Sequence, residues 1–256
     1  MQITLNLKEK LEQSANEYFE GAKKARKKAE GAREIVLKFK KQLEELEKKQ
    51  LVEEKKAEVK AKRPQEWYEK FRWFISSEGF LCIGGRDATS NEVVIKKHTD
   101  KDDLVFHTDA PGSPFFVIKT NGKKPSEITM QETADATASF SRGWKVGVTI
   151  AEVFAVNPDQ VSKKAESGEY MPKGGFMVRG KRTLYQGKLL IAIGRTEDGR
   201  VMSGPESAIK VHCKDYSIVQ QGKDKASDCA KKIARKIKAE TDEVIRALPG
   251  GTCQVK

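Results

Sequence analysis

The sequence predicts an α+β domain, with a mixed or antiparallel sheet and a few packed helices, preceded by a long coiled-coil helix. Three observations carry this. First, Leu11, Ala15, Tyr18, Ala22, Ala25, Ala29, Ala32, Val36, Phe39, Leu43 and Leu46 recur in steps of 4 and 3, the 3.5-residue period of a coiled coil. Second, no proline precedes Pro64, and Trp67, Tyr68, Phe71, Trp73 and Phe74 then crowd together. Third, the apolar runs beyond residue 75 are short and grouped. They do not alternate strictly with helical patterns, which favours α+β over a wound α/β sheet.

Taken in order, residues 1–63 read as a coiled-coil arm, 64–195 as a compact domain, and 196–256 as an α/β extension packed on it. The arm's stripe is mostly alanine in its middle. Alanine buries little area, so the stripe permits close approach of a partner helix more than it drives it. A second copy, a returning arm after residue 46, or a segment outside this chain would each fit. Forty such residues make a rod of about 60 Å. Pro64 stops the helix, and the aromatic cluster is expected to anchor the domain core. Expected strands are 80–83, 104–107, 115–119, 146–156, 175–179, 189–193 and 216–220. Expected helices are 90–97, 130–141, 206–212 and 225–248. In "TMQE", Thr129 reads as a helix cap with Glu132 reaching back. "SSEG" reads as a hairpin turn, and "LPGGT" as a glycine stop for the last helix.

The chain has 256 residues, 49 Lys and Arg against 37 Asp and Glu, and a net charge of +12. A basic balance favours polyanionic partners. The arm holds 18 cations and 12 acids, including "KKARKK" at 23–28. Its charge density is about threefold that of the remainder, which suits either a solvated face or a phosphate surface. The four cysteines, Cys82, Cys213, Cys229 and Cys253, show no CxxC spacing. A disulfide framework or zinc site is not expected, and a reducing, cytoplasmic setting fits. No apolar run approaches the ~20 residues of a membrane span, and "MQITLNLKEK" lacks a signal-peptide core.

Chemistry-bearing patterns are few. His107, Asp109 and Ser113 fall in "LVFHTDAPGSPFFVIK", but a triad is assembled from distant segments. A strand end followed by a Pro-Gly turn is the better reading. "VHCKD" sets His212 beside Cys213 without a second ligand pair, so no metal is expected. Phosphate-loop and dinucleotide fingerprints are absent, and no cofactor is expected. "IGGRD" at 83–87 reads either as an anion cradle before a helix N-terminus or as a turn with Asp87 as helix cap. The stretch 160–185 interleaves Lys163, Lys164, Lys173, Arg179, Lys181 and Arg182 with glycines and with Tyr170, Phe176 and Tyr185. Basic loops with aromatics suit splayed RNA bases better than duplex DNA.

Several quoted runs occur in a fixed order: "WYEKFRWFISSEGFLCIGGRDATSNEVVIKKH", "DLVFHTDAPGS", "ETADATASFS" and "QVSKKAESGEYMPKGGFMVRGKR". The series resembles the NFACT family of ribosome-associated quality-control factors, in its archaeal and eukaryotic branch. It covers that family's C-terminal RNA-binding domain, NFACT-R, at about residues 65–195. "NLKEKLEQSANEYFEGAKKARKKAEGA" resembles the coiled-coil arm that precedes it. The resemblance implies binding to tRNA and to a large ribosomal subunit that holds a stalled nascent chain. It implies support for template-free, C-terminal tailing of that chain, with the ribosome performing the peptide transfer and the factor acting as a binding protein, not an enzyme.

By motif, Gly84, Gly85, Arg86, Asp87, Asn91, His107, Asp109, Gly112 and Ser113 fall at the family's signature positions. With the six cations of 160–185 they form the expected RNA-binding set. The family's N-terminal domain and helix-hairpin-helix segment have no counterpart here, so the chain reads as a fragment or a reduced homologue. The arm's partners are then a second copy or N-terminal parts of a parent protein. Two other classes remain from the residues themselves. One is a nucleic-acid-processing enzyme using His107 and Asp109 or the Arg86-Asp87 loop. The other is a coiled-coil scaffold for a protein partner.

Overall fold

The computed structural model describes residues 10–61, 64–163 and 174–256. The chain divides into two units, Met1–Gln65 and Glu66–Lys256. Among the described residues the first unit contains one helix, α1 (Leu11–Ala61). The heptad residues Leu11, Tyr18, Val36, Phe39, Leu43 and Leu46 are all more than half exposed on it.

The second unit is α+β. In order it contains β1 (Arg72–Ile75), β2 (Leu81–Gly84), α2 (Ala88–Lys97), β3 (Leu104–His107), β4 (Phe116–Lys119), α3 (Glu127–Ser139) and α4 (Gly143–Val146). There follow β5 (Ile150–Val156), β6 (Val161–Ser162), β7 (Met177–Val178), β8 (Thr183–Lys188), β9 (Ile191–Thr196) and β10 (Val201–Gly204). The chain finishes with α5 (Glu206–His212), β11 (Cys213–Asp224), α6 (Ala226–Ile237), α7 (Thr241–Ala247) and β12 (Cys253–Val255). One sheet has the order β1-β2-β4-β3-β5-β8, a second β10-β9-β11-β12, and β6 pairs with β7. Every pairing among the described residues is antiparallel.

Cys82, Ile83, Val105, Phe106, Phe116, Val117 and Ile118 fill the central strands and are fully buried. Helix α3 covers this sheet with small residues, including Ala134 and Ala138. They let β8 pass close by. A Cβ on Gly187 would stand 2.6 Å from the Ala134 carbonyl oxygen. The two larger sheets meet where Phe74 of β1 packs on Gly204 of β10. The expected boundary near 195 therefore falls inside a strand, β9, whose sheet shares this core.

Several expectations shift. The 146–156 strand begins only at Ile150, after the short α4. Strands β6, β8, β10 and β12 fall outside the expected segments. β1 is implied by the "SSEG" hairpin but has no expected range, because the aromatic cluster reads as an anchor before it reads as a strand. Phe71, Trp73 and Phe74 are indeed buried, while Trp67 stacks on His98 at 4.5 Å. Thr129 is not the α3 cap. Ser126 caps that helix by accepting from the Ile128 N–H at 3.1 Å. Thr129 instead donates to Glu78, and Glu132 accepts from the Ser77 N–H and the Ser207 hydroxyl. The last helix is two, broken at Lys238, which adopts φ 53° with its carbonyl held by Arg195. No glycine or proline marks that break. The "SSEG" turn joins β1 to β2 with Gly79 at φ 88°.

Candidate functional site

The Gly84-Gly85 pair ends β2 for two separate steric reasons. A Cβ on Gly84 would lie 2.5 Å from the Phe116 ring. A Cβ on Gly85 would overlap Asn91 Oδ1 and stand 2.8 Å from the Asn91 backbone nitrogen. Asn91 is buried on the first turn of α2. Its Oδ1 accepts from the Phe115 N–H at 3.1 Å, and its Nδ2 donates to the Ser113 carbonyl. The amide therefore clips the β2–α2 loop to the 107–115 loop, and only glycine leaves room for it.

Of the two readings of "IGGRD", the helix cap prevails. Asp87 accepts from the Ser90 N–H at 2.8 Å. The Arg86 and Asp87 N–H groups both donate to the Ser90 hydroxyl, and the Gly85 N–H donates to the Phe115 carbonyl. The loop's donors are thus turned inward, not into an anion cradle. The Arg86 guanidinium is committed as well. It donates to the Arg246 carbonyl at 2.8 Å and to the Phe71 carbonyl at 2.9 Å. It so ties the C-terminal turn of α7 to the start of β1, where the helix dipole also favours a cation. Lysine cannot reproduce a planar fork. Arg86→Lys is expected to cost about 1–2 kcal/mol and to loosen α7 first. Urea denaturation and amide exchange of α7 check this, and native-like exchange there would refute it.

Around this loop lies a groove of about 620 Å³. It gathers residues that are distant in sequence: Gly85, Arg86, Asp87 and Asn91 from one loop; His107, Asp109, Gly112 and Ser113 from a second; and Gly174, Phe176 and Arg182 from a third. Phe115, Phe140 and Phe154 supply its apolar lining. His107 stacks on Phe115 with centroids 4.0 Å apart, and Phe176 meets Phe115 edge-on at 5.3 Å. Burial pushes the His107 imidazole down to about 4, against the opposing pull of its hydrogen bonds and of Asp109. Its Nε2–H donates to the Ser113 carbonyl at 3.2 Å.

The charges at the groove are largely matched. Arg182 pairs with Asp109 at 2.7 Å and lies over the Phe154 ring at 4.5 Å. Lys163 pairs with Glu92 and lies 5.1 Å from the Phe176 ring centroid. Glu92 also accepts from the Gly174 N–H at 3.2 Å, and its carboxyl is held down to about 2, chiefly by the Lys163 contact. One carboxylate thus holds residues on both sides of the 164–173 segment. Gly174, at φ 80°, is pressed so close to Ala88 that a Cβ would lie 2.5 Å from the alanine's own.

The remaining sequence-derived candidates are scattered. Gly84 abuts the Phe116 ring and does not line the groove. Arg179 and Lys181 are exposed on the turn around Gly180, whose carbonyl neighbours are held by Gln160. Tyr185 packs beside Phe106 and bonds Glu127, outside the groove. Lys164, Lys173 and Tyr170 lie outside the described residues. Sequence reasoning missed Glu92 and Phe154. Phe154 was visible only as one apolar residue of a strand, and Glu92 only as one charge on an amphipathic helix.

Residues 70–180 match the family model described as the NFACT protein RNA binding domain. The archaeal Rqc2 homolog aRqcH of Methanocaldococcus jannaschii is 38% identical over 201 residues, 76% of this chain. The chain belongs to the NFACT family. Ribosome quality control complex subunit NEMF of Homo sapiens is 41% identical over 117 residues, 45% of this chain. Ribosome quality control complex subunit 2 of Schizosaccharomyces pombe is 36% identical over 128 residues, 48% of this chain. The chain spans 30% of the archaeal relative's length, 11% of the human one's and 12% of the yeast one's. The groove lies almost wholly inside the matched NFACT segment, with only Arg182 beyond residue 180.

Proposed function

We propose that this chain is the RNA-binding part of a ribosome quality-control factor. It binds tRNA and stalled large ribosomal subunits in the cytoplasm, and so supports template-free tailing of nascent chains. The observation that carries the reading is the convergence of the three NFACT signature loops on one aromatic-lined groove. Its volume and its flat rings suit an unstacked base. Its matched charges suit base and ribose contact more than phosphate contact. The names of the relatives support the ribosomal setting. The groove set, from Gly85 to Arg182, is the proposed RNA contact surface, with Lys163, Arg179 and Lys181 beside it.

The chain acts by binding, with the ribosome supplying the chemistry. Two features favour this over a nucleic-acid-processing enzyme. His107 is kept neutral and spends its Nε2 proton on a main-chain carbonyl, and Asp109 is held by Arg182. Filter binding to unfractionated tRNA and to purified large subunits, at several salt concentrations, tests the reading. Retention of both ligands at low salt is expected, weakening steeply as salt rises. Loss of neither ligand's signal on adding excess unlabelled RNA, or no retention at all, would refute it. Cleavage of labelled RNA that disappears in His107→Ala would put the enzyme reading first.

A further inference from the structure

The groove's cations are matched by acids, yet RNA affinity rests largely on unmatched cations near phosphates. Beyond the arm, 31 Lys and Arg face 25 Asp and Glu in residues 64–256, a net of +6. Residues 223–238 alone hold Lys223, Lys225, Lys231, Lys232, Arg235, Lys236 and Lys238 against Asp224 and Asp228, a net of +5. Almost all of this unit's excess charge therefore sits in 16 residues, outside the segment that the family model matches.

The fold turns that charge outward. Helix α6 buries Cys229, Ala230, Ile233, Ala234 and Ile237 against its own unit, and its lysines and Arg235 are exposed on the opposite face. Lys232 meets Asp224 at 3.0 Å, and Lys231 meets Asp228 only at 3.9 Å. Arg235, Lys236 and Lys238 pair with no carboxylate among the described residues. Lys231 and Arg235 stand one helical turn apart, about 6 Å along the axis. A helix C-terminus tolerates one or two cations through its dipole, but Arg235, Lys236 and the C-cap Lys238 crowd together with no carboxylate among the described residues to offset their repulsion, which an outside anion would relieve.

We infer that the outer face of α6 is a second RNA-contact surface, which takes the phosphodiester backbone while the groove takes a base. This rests on the RNA-binding reading above. The test uses the full chain and unfractionated tRNA. Native protein and the triple variant Lys231→Gln, Arg235→Gln, Lys236→Gln are titrated across a salt series. All three residues are exposed, and a thermal melt verifies that the variant folds.

The slope of log K against log salt is expected to fall by roughly 2–3, with binding at least about tenfold weaker near ~0.1 M salt. A variant with native slope and affinity overturns the inference but leaves the RNA-binding reading standing, and assigns the face to a protein partner. Native protein that fails to bind tRNA at low salt overturns both. The control Lys101→Gln, Lys123→Gln, Lys124→Gln removes the same charge from exposed loops. If it weakens binding equally, the effect is one of net charge, and the α6 assignment falls.

Discussion

Gly85→Ala is expected to destabilise the chain by about 3 kcal/mol, lowering the melting temperature by roughly 6–12 °C. The added methyl would meet both Asn91 Oδ1 and the Asn91 backbone nitrogen. Rotating the side chain removes only the first clash, because the second partner is main chain at the start of α2. Moving Asn91 also strips the Phe115 N–H of its buried acceptor, which itself costs about 1–3 kcal/mol. Steric and hydrogen-bond losses therefore act together. Thermal and urea denaturation measure the total. In an Asn91→Ala background the same Gly85→Ala change should cost visibly less, since one of its two obstacles is gone, and a double-mutant cycle isolates that coupling. A Gly85→Ala protein within about 0.5 kcal/mol of native would contradict the close packing of the two loops.

This pair of glycines also marks how far the sequence could be read. The α+β class, the long first helix and the "SSEG" hairpin follow from local patterns: a heptad, a proline stop and a turn signal. The three loops that build the groove were each visible, because "GGRD", "HTDAPGS" and "GGFMVRGKR" are locally unusual. Their meeting was not visible, since β2 pairs with β4 and β3 with β5, each skipping a strand in sequence order. The distinction between cradle and cap depended on where the N–H groups of Gly85, Arg86 and Asp87 point, and Ser90 decides that through side-chain geometry. Arg86 reads as an anion ligand by residue type. Its fixation by the Arg246 and Phe71 carbonyls depends on α7 returning from 160 residues away. The break at Lys238 had no signal at all, since lysine rarely adopts a left-handed backbone.

Acidification is expected to unlock the same groove through His107. Its imidazole titrates near 4 in the folded chain, against about 6.5 when unfolded. The dominant cause is burial between Phe115 and Phe154, with the Arg182 charge adding a smaller push in the same direction and Asp109 opposing it. A depressed folded value means that the unfolded chain binds the proton first. The contribution to stability is thus complete above pH 6.5 and drains away as pH falls toward 4. About 3 kcal/mol is at stake across that window. His107→Gln keeps an N–H that can reach the Ser113 carbonyl but does not titrate. The stability gap between native and His107→Gln proteins should be constant above pH 6.5 and shift toward the variant by up to about 3 kcal/mol near pH 4. Urea denaturation at pH 7.5, 6, 5 and 4.5 reads this directly, and the carboxylates, common to both proteins, cancel in the difference. Parallel curves over the whole range would mean that His107 is solvated, and that the aromatic wall behind the signature loops is not closed.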